Sequence, residues 1–152
     1  MPNTRMRMTK KKALTVVLAV AALLLLFIAL RLFLPAQTDH QLSTIEGREA
    51  FLLELGWEID RDSEVFRTVT VPDKLEGIML QYNKMQLTQG YDLNAHLGER
   101  CQQYTYTLKN YSDSDGTVLV TLYIQGDSLI AGDIHTTAAN GFMHGLKRNE
   151  GK

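Results

Sequence analysis

The amino-terminal part of the chain contains one long run of apolar side chains. Residues 13–30 carry no charge and a single hydroxyl group, and the apolar pattern continues past Arg31 as far as Leu34. At about 1.5 Å of rise per residue, a helix from Ala13 to Leu34 is roughly 33 Å long, which is enough to cross the hydrocarbon core of a bilayer. Because Pro35 cannot continue a helix, the pattern predicts a transmembrane anchor over residues 13–34.

The residues on either side of this run predict whether it is cleaved and how it is oriented in the membrane. A cleaved signal peptide usually has an apolar stretch of about 7 to 15 residues, followed by small residues at the processing site. Leu34 and Ala36 occupy those positions here, and leucine is too large for a good processing site. We therefore expect an uncleaved anchor and keep cleavage as the alternative. Five bases and no acid lie among the first 12 residues, which favours a cytoplasmic amino terminus. The predicted location is the cell membrane, with a single pass and an extracytoplasmic carboxyl-terminal domain.

The residues after the anchor predict one domain that contains two helices. Ser43 and Glu46 have the spacing of a capping box, and the apolar face that follows predicts a helix near residues 44–55. Apolar positions recur every three or four residues between Asp73 and Gly90, which predicts a second helix. The chain is thus expected to have five segments: a basic cytoplasmic tail (1–12), the anchor (13–34), a tether (35–42), a folded domain (43–146) and a flexible tail (147–152).

Alternating apolar and polar positions predict the strands of this domain. Residues 57–59 and 65–71 alternate on either side of a polar, turn-like stretch, which predicts a hairpin. Residues 101–111, 117–125 and 129–135 predict a three-stranded meander. The order helix, hairpin, helix, meander predicts an α+β fold in which two helices cover one face of an antiparallel sheet.

Composition and charge exclude several classes of function. The chain has 16 bases and 17 acids, but six of the bases precede Pro35, which leaves ten bases against 17 acids in the remainder. A broad basic surface for nucleic acid is therefore not expected there. Cys101 is the single cysteine, so no internal disulfide forms. The sequence has no phosphate-binding loop, dinucleotide-binding glycine motif, nucleophile elbow or zinc-protease helix, and we expect no cofactor.

Two small sets of residues are candidates for chemistry or binding. Asp133, His135 and His144 have side chains that suit zinc, although His144 reaches the other two only if the end of the chain folds back. Tyr104 and Tyr106 alternate on one sheet face, and Phe142 and His144 lie in a glycine-flanked segment near the end of the domain. We take these four residues as candidate binding residues. The alternative is that the aromatic rings belong to the core and that the histidines are ordinary surface residues.

Several short runs resemble a known family. They are Tyr82–Gln86, Gly90–Leu93, the tyrosine-rich segment that includes Tyr104, Tyr106, Asn110 and Tyr111, and Gly141–Leu146. Together these runs resemble the uncharacterised family called domain of unknown function 4830, which comprises small membrane-anchored proteins of anaerobic Gram-positive bacteria. The resemblance covers residues 45–146. It implies an extracytoplasmic setting in a monoderm envelope, and it implies no activity and no site residues.

The function expected from the sequence is a membrane-anchored, noncatalytic binding or interaction module of the cell envelope. The expected partners are the lipid bilayer and a membrane or envelope protein, with no nucleic acid. One alternative is a membrane-tethered, metal-dependent hydrolase that uses Asp133, His135 and His144. A second alternative is a structural subunit of a membrane protein assembly, which an exposed apolar patch at Tyr104 and Tyr106 would favour.

Overall fold

A computed structural model describes residues 19–25, 40–112 and 114–147. The chain divides into two compact units, Met1–Asp39 and His40–Lys152. In the first unit the described residues 19–25 are helical, and their side chains are exposed.

The predicted membrane location is corrected by the structure. Within the described residues no helix is both long enough and apolar enough to span a bilayer. Of the predicted anchor, the structure describes residues 19–25, which are helical. The rest of the predicted anchor, which includes Ala13 and Leu34, lies outside the described residues.

The second unit is an α+β fold with one antiparallel sheet, which confirms the predicted class. The five strands lie side by side in the order β1-β2-β3-β4-β5. The elements are α1 (Ile45–Glu54), β1 (Ile59–Thr70), α2 (Gly77–Gln89), a 3₁₀ helix (Leu93–His96), β2 (Arg100–Leu108), β3 (Val118–Gln125), β4 (Ser128–Thr136) and β5 (Met143–His144).

Helix α1 begins one residue later than the capping box predicted. Thr44, in extended backbone, is the N-cap, and its Oγ1 accepts a hydrogen bond from the Gly47 N–H at 3.1 Å. This bond satisfies one of the amide groups that have no partner within the first turn. Leu52 then points into the core and is fully buried.

Strand β1 replaces the predicted hairpin. The polar run after Ile59 forms a bulge instead of a turn, because the pairing with β2 shifts between Asp60 and Val65. Ser63 holds the bulge: its Oγ donates to the Asp60 carbonyl at 2.6 Å and accepts from the Thr107 N–H at 2.8 Å. The two predicted strands are therefore halves of one bent strand, since a bulge adds residues to one strand without ending it.

The two helices cover opposite faces of the sheet, so the prediction that both cover one face is wrong. Cross-strand partners share a face. Tyr106, Val120, Ile134 and His144 pair in succession across β2 to β5 on the face where α1 packs, which we call the α1 face. On the other face Cys101 and Ala131 pack with Met79 and Tyr82 of α2, and we call it the α2 face.

Two glutamines of α2 close the edge of β4 where it has no strand partner. Gln86 is fully buried, and its amide both donates to the carbonyl and accepts from the N–H of Gly132, at 3.0 Å each. Gln89 donates to the same carbonyl at 3.0 Å and accepts from the Leu146 N–H at 2.6 Å. A Cβ at Gly132 would lie 2.6 Å from Leu146 Cδ1, so this close approach requires glycine. The side-chain amides of Gln86 and Gln89 thus take the place of a strand partner for the part of β4 that the short β5 does not reach.

Candidate functional site

A groove of about 570 Å³ lies between α2 and the α2 face of the sheet. It forms because α2 contacts the sheet mainly through Met79 and Tyr82, while the end of β1 and the start of β5 border the remaining space. Volumes of roughly 300 to 1,000 Å³ are typical of pockets that hold small organic ligands.

Most of the groove wall is apolar. Ile78 at the start of α2 is 86% exposed, and Met143 on β5 is 52% exposed. Unbranched methionine side chains adapt to the shape of an apolar ligand at little cost. The main apolar lining residues are Val71, Ile78, Met79, Met85, Leu93 and Met143.

The polar part of the groove is centred on a buried carboxylate. Asp133 is only 2% exposed, and its two oxygens bind different partners. The Tyr82 hydroxyl donates to Oδ2 at 2.7 Å, and His135 Nδ1 lies 2.7 Å from Oδ1. A buried carboxylate is costly without such partners, so Tyr82 and His135 satisfy a charge that could not otherwise remain inside.

The environment sets the protonation of the groups around Asp133. Burial, reinforced by the negative charge of Asp133, raises the pKa of Tyr82 well above its usual range and that of Tyr123 to about 12. Both phenols are therefore neutral at pH 7. The hydrogen bond to Asp133 raises the pKa of His135, which favours the imidazolium form. Because Nδ1 is held by Asp133, the Nε2 edge of the ring is the part available to a ligand.

The groove does not bring the single cysteine thiol to this histidine. Cys101 lines the groove, but it is fully buried and burial raises the pKa of its thiol. Both positions can be compared along β3. The position opposite Cys101 is one residue beyond Ile124, the partner of Gln102, whereas the partner of His135 is Leu119. That offset corresponds to roughly 20 Å along the strands. Cys101 and His135 therefore do not form a thiol–imidazole pair.

The candidate metal residues do not come together. Asp133 and His135 face the groove, whereas His144 pairs with Ile134 and so lies on the α1 face. There His144 Nε2 is 3.0 Å from the Tyr111 hydroxyl. The sheet separates the two histidines, and nowhere in the described part of the chain do three acidic, histidine or cysteine side chains form a cluster that could hold a metal.

The candidate binding tyrosines form an internal cluster with Arg48. Tyr106 is fully buried, and Arg48 Nε donates to its hydroxyl at 2.6 Å. The Arg48 guanidinium also lies 3.6 Å from the centre of the Tyr104 ring and 2.9 Å from a carboxylate oxygen of Glu64. Tyr104 and Tyr106 therefore do not form the exposed apolar patch that would favour a structural subunit.

Phe142 and His144 belong to a row of stacked rings. Phe142 stacks on Tyr111 with ring centres 5.1 Å apart, and His144 lies 5.5 Å from Phe142. Tyr111 in turn stacks on Trp57 at 5.5 Å. Phe142 and His144 are half-buried, and their contacts close the core on the α1 face.

Of the groove residues, only Asp133 and His135 were candidates from the sequence; Tyr82, Tyr123 and Met79 are among those that were not predicted. The signal that could have found them is Asp133 itself, an acid within the apolar stretch that runs through Ile134. An acid inside a buried strand needs hydrogen-bond donors from a neighbouring element, and Tyr82 on the amphipathic second helix is such a donor.

No family model, curated protein or solved structure matches this chain. The family resemblance inferred from the sequence therefore stays a prediction, and the site is interpreted from its own geometry.

Proposed function

We propose that the second unit is a noncatalytic binding module, and that the groove on its α2 face holds the apolar part of a ligand. The observation that carries this proposal is the combination of a mostly apolar groove of about 570 Å³ with a buried polar centre at Asp133. Apolar walls with a few fixed polar groups are the usual construction of a ligand site.

The groups of the groove suit binding better than catalysis. Asp133 is buried behind Tyr82 and His135, which bind its two oxygens, so a substrate in the groove does not reach this carboxylate directly. The thiol of Cys101 is distant from His135 along the sheet, and the metal set is split between the two faces. A thiol-dependent or metal-dependent hydrolase would need one of these arrangements to be complete. Among the described residues, the alternative of a metal-dependent hydrolase that uses Asp133, His135 and His144 therefore has no geometric support.

A groove-filling substitution tests the proposal. The neutral fluorescent probe N-phenyl-naphthylamine is titrated into the full chain, where burial in an apolar site increases its emission. Met79→Trp places a large ring in the groove, whereas Leu80→Trp alters a residue that is 42% exposed and does not line it. We expect binding to Met79→Trp to be weaker by at least about tenfold, and binding to Leu80→Trp to be unchanged.

Circular dichroism of both variants shows whether the fold is kept. The proposal is wrong if the wild-type chain does not bind the probe, or if a folded Met79→Trp variant binds it as tightly as the Leu80→Trp variant does.

A further inference from the structure

We infer that the ligand of the groove is an alkyl carboxylate, with its chain along the apolar wall and its carboxylate on His135. This inference rests on the proposed binding function and adds the chemical class of the ligand.

The first argument is the balance of charge inside the groove. Its ionisable lining residues are Asp133 and His135 on β4, Tyr82 on α2, Tyr123 on β3 and Cys101 on β2. Burial raises the pKa values of both phenols and of the thiol, so these three groups are neutral at pH 7. The Asp133–His135 contact, at 2.7 Å, is therefore the place in the lining where charge can reside.

The second argument is that these two groups are not equally accessible. Asp133 is 2% exposed, and both of its oxygens already accept hydrogen bonds, whereas the His135 side chain is 28% exposed. A ligand therefore meets the imidazole of His135 and not the carboxylate behind it. In the protonated ring that Asp133 favours, Nε2–H is a charge-assisted donor, and an anionic oxygen is the acceptor that matches it best.

The third argument is the chemistry of the remaining surface. Met143 on β5 lies opposite His135 in the strand pairing, so an apolar wall begins directly beside the cationic donor. The wall then continues along α2 through Met79 and Ile78. A ligand with one negative end and an unbranched apolar body fits a groove in which a donor is followed by an apolar wall. A polyanion or a sugar would leave polar groups against the methionines, which is unfavourable.

Matched ligand pairs separate the two parts of the proposal. Hexanoate, octanoate, hexanol and octanol are used to displace N-phenyl-naphthylamine from the full chain at neutral pH. In both series each added methylene should strengthen binding about fourfold, because it buries apolar surface. At equal chain length the carboxylate should bind more tightly than the alcohol by at least about tenfold, because it accepts from a charged donor.

Two histidine variants and a pH series locate the anionic end. His135→Gln should abolish the preference for carboxylate over alcohol, while Gln can still donate to Asp133. His144→Gln is the matched control, because His144 lies on the α1 face, and it should keep the preference. In the wild-type chain the preference should fall as pH rises through the pKa of His135, which lies above 6.5. This pH measurement needs no variant.

The possible outcomes distinguish the two proposals. If alcohols and carboxylates of equal length bind equally well, the groove binds apolar groups but the inference of a carboxylate ligand is wrong. If neither series displaces a probe that binds the wild-type groove, or if affinity does not depend on chain length, the inference of an alkyl ligand is wrong although the groove binds apolar groups. If the wild-type chain does not bind the probe at all, both proposals are wrong. A carboxylate preference that His144→Gln removes and His135→Gln keeps would also overturn the inference.

Discussion

Gln86 holds Gly132 with both ends of its side-chain amide, as a neighbouring strand would. Nε2 donates to the Gly132 carbonyl and Oε1 accepts from its N–H, at 3.0 Å in each case. Two backbone groups at the edge of β4 are thereby satisfied by a helix. The same two bonds fix the end of α2 relative to the sheet, and so they fix one wall of the groove.

Replacing Gln86 by Ala should therefore destabilise the domain strongly. The change leaves a buried N–H and a buried carbonyl with fewer partners, and each such group costs about 1 to 3 kcal/mol. We expect a loss of roughly 2 to 4 kcal/mol in the free energy of unfolding, measured by urea denaturation. Lys84→Ala, on the exposed side of the same helix, is the control and should change stability by less than about 0.5 kcal/mol. Equal stability of the two variants would contradict this role of Gln86.

Arg48 should matter far more to stability than the other paired arginine, Arg61. Arg48 is 3% exposed and donates to Tyr106, to the Leu42 carbonyl and to Glu64. Removing it leaves these acceptors without their donor, so we expect Arg48→Ala to cost about 2 to 4 kcal/mol in the free energy of unfolding. The measurement is again the urea midpoint and slope.

Arg61 provides the comparison within the same unit. It forms ion pairs with Glu46 and Glu49, but its side chain is 43% exposed, and exposed pairs contribute little. Arg61→Ala should leave the unfolding midpoint almost unchanged. If the two arginine variants have similar midpoints, the buried cluster around Arg48 is not a major source of stability.

The Asp133–His135 contact should make stability depend on pH in a defined direction. The folded-state pKa of His135 is raised above 6.5 by its bond to Asp133. The contact therefore stabilises fully below the unfolded pKa, and this contribution is lost as pH rises through the folded pKa. The difference in unfolding free energy between wild type and His135→Gln should shrink as pH rises above about 6.5 and through the raised pKa of His135. A difference that is constant or grows with pH would refute this linkage.

The sequence predicted the elements with strong periodicity and missed the features that depend on register. Helix α2 and the three strands β2 to β4 lie close to their predicted positions. Each has apolar residues at the period of its own secondary structure, because one side of the element packs against the core. The start of α2 was predicted near Asp73, but the helix begins at Gly77. Leu75 lies between them and is buried without being helical, so the apolar pattern begins before the helix does.

The two faces of the sheet could not be assigned from the sequence. Periodicity tells which residues of a strand share a face, but it does not tell which helix covers that face. His135 and His144 illustrate the consequence, because β5 pairs His144 with Ile134 and not with His135. A shift of one residue in that pairing would have placed both histidines in the groove. The register of a two-residue strand has no signal in the sequence.

Leu146, near the end of the folded unit, is bound by Trp57, which belongs to the row of stacked rings, and by Gln89 of α2. The Trp57 indole donates to the Leu146 carbonyl at 2.6 Å, across 89 positions of sequence, and the Leu146 N–H donates to Gln89. A chain that ends before Leu146 lacks the carbonyl that accepts from Trp57 and the N–H that donates to Gln89. Shortening the chain before Leu146 should therefore abolish cooperative unfolding instead of trimming a loose end.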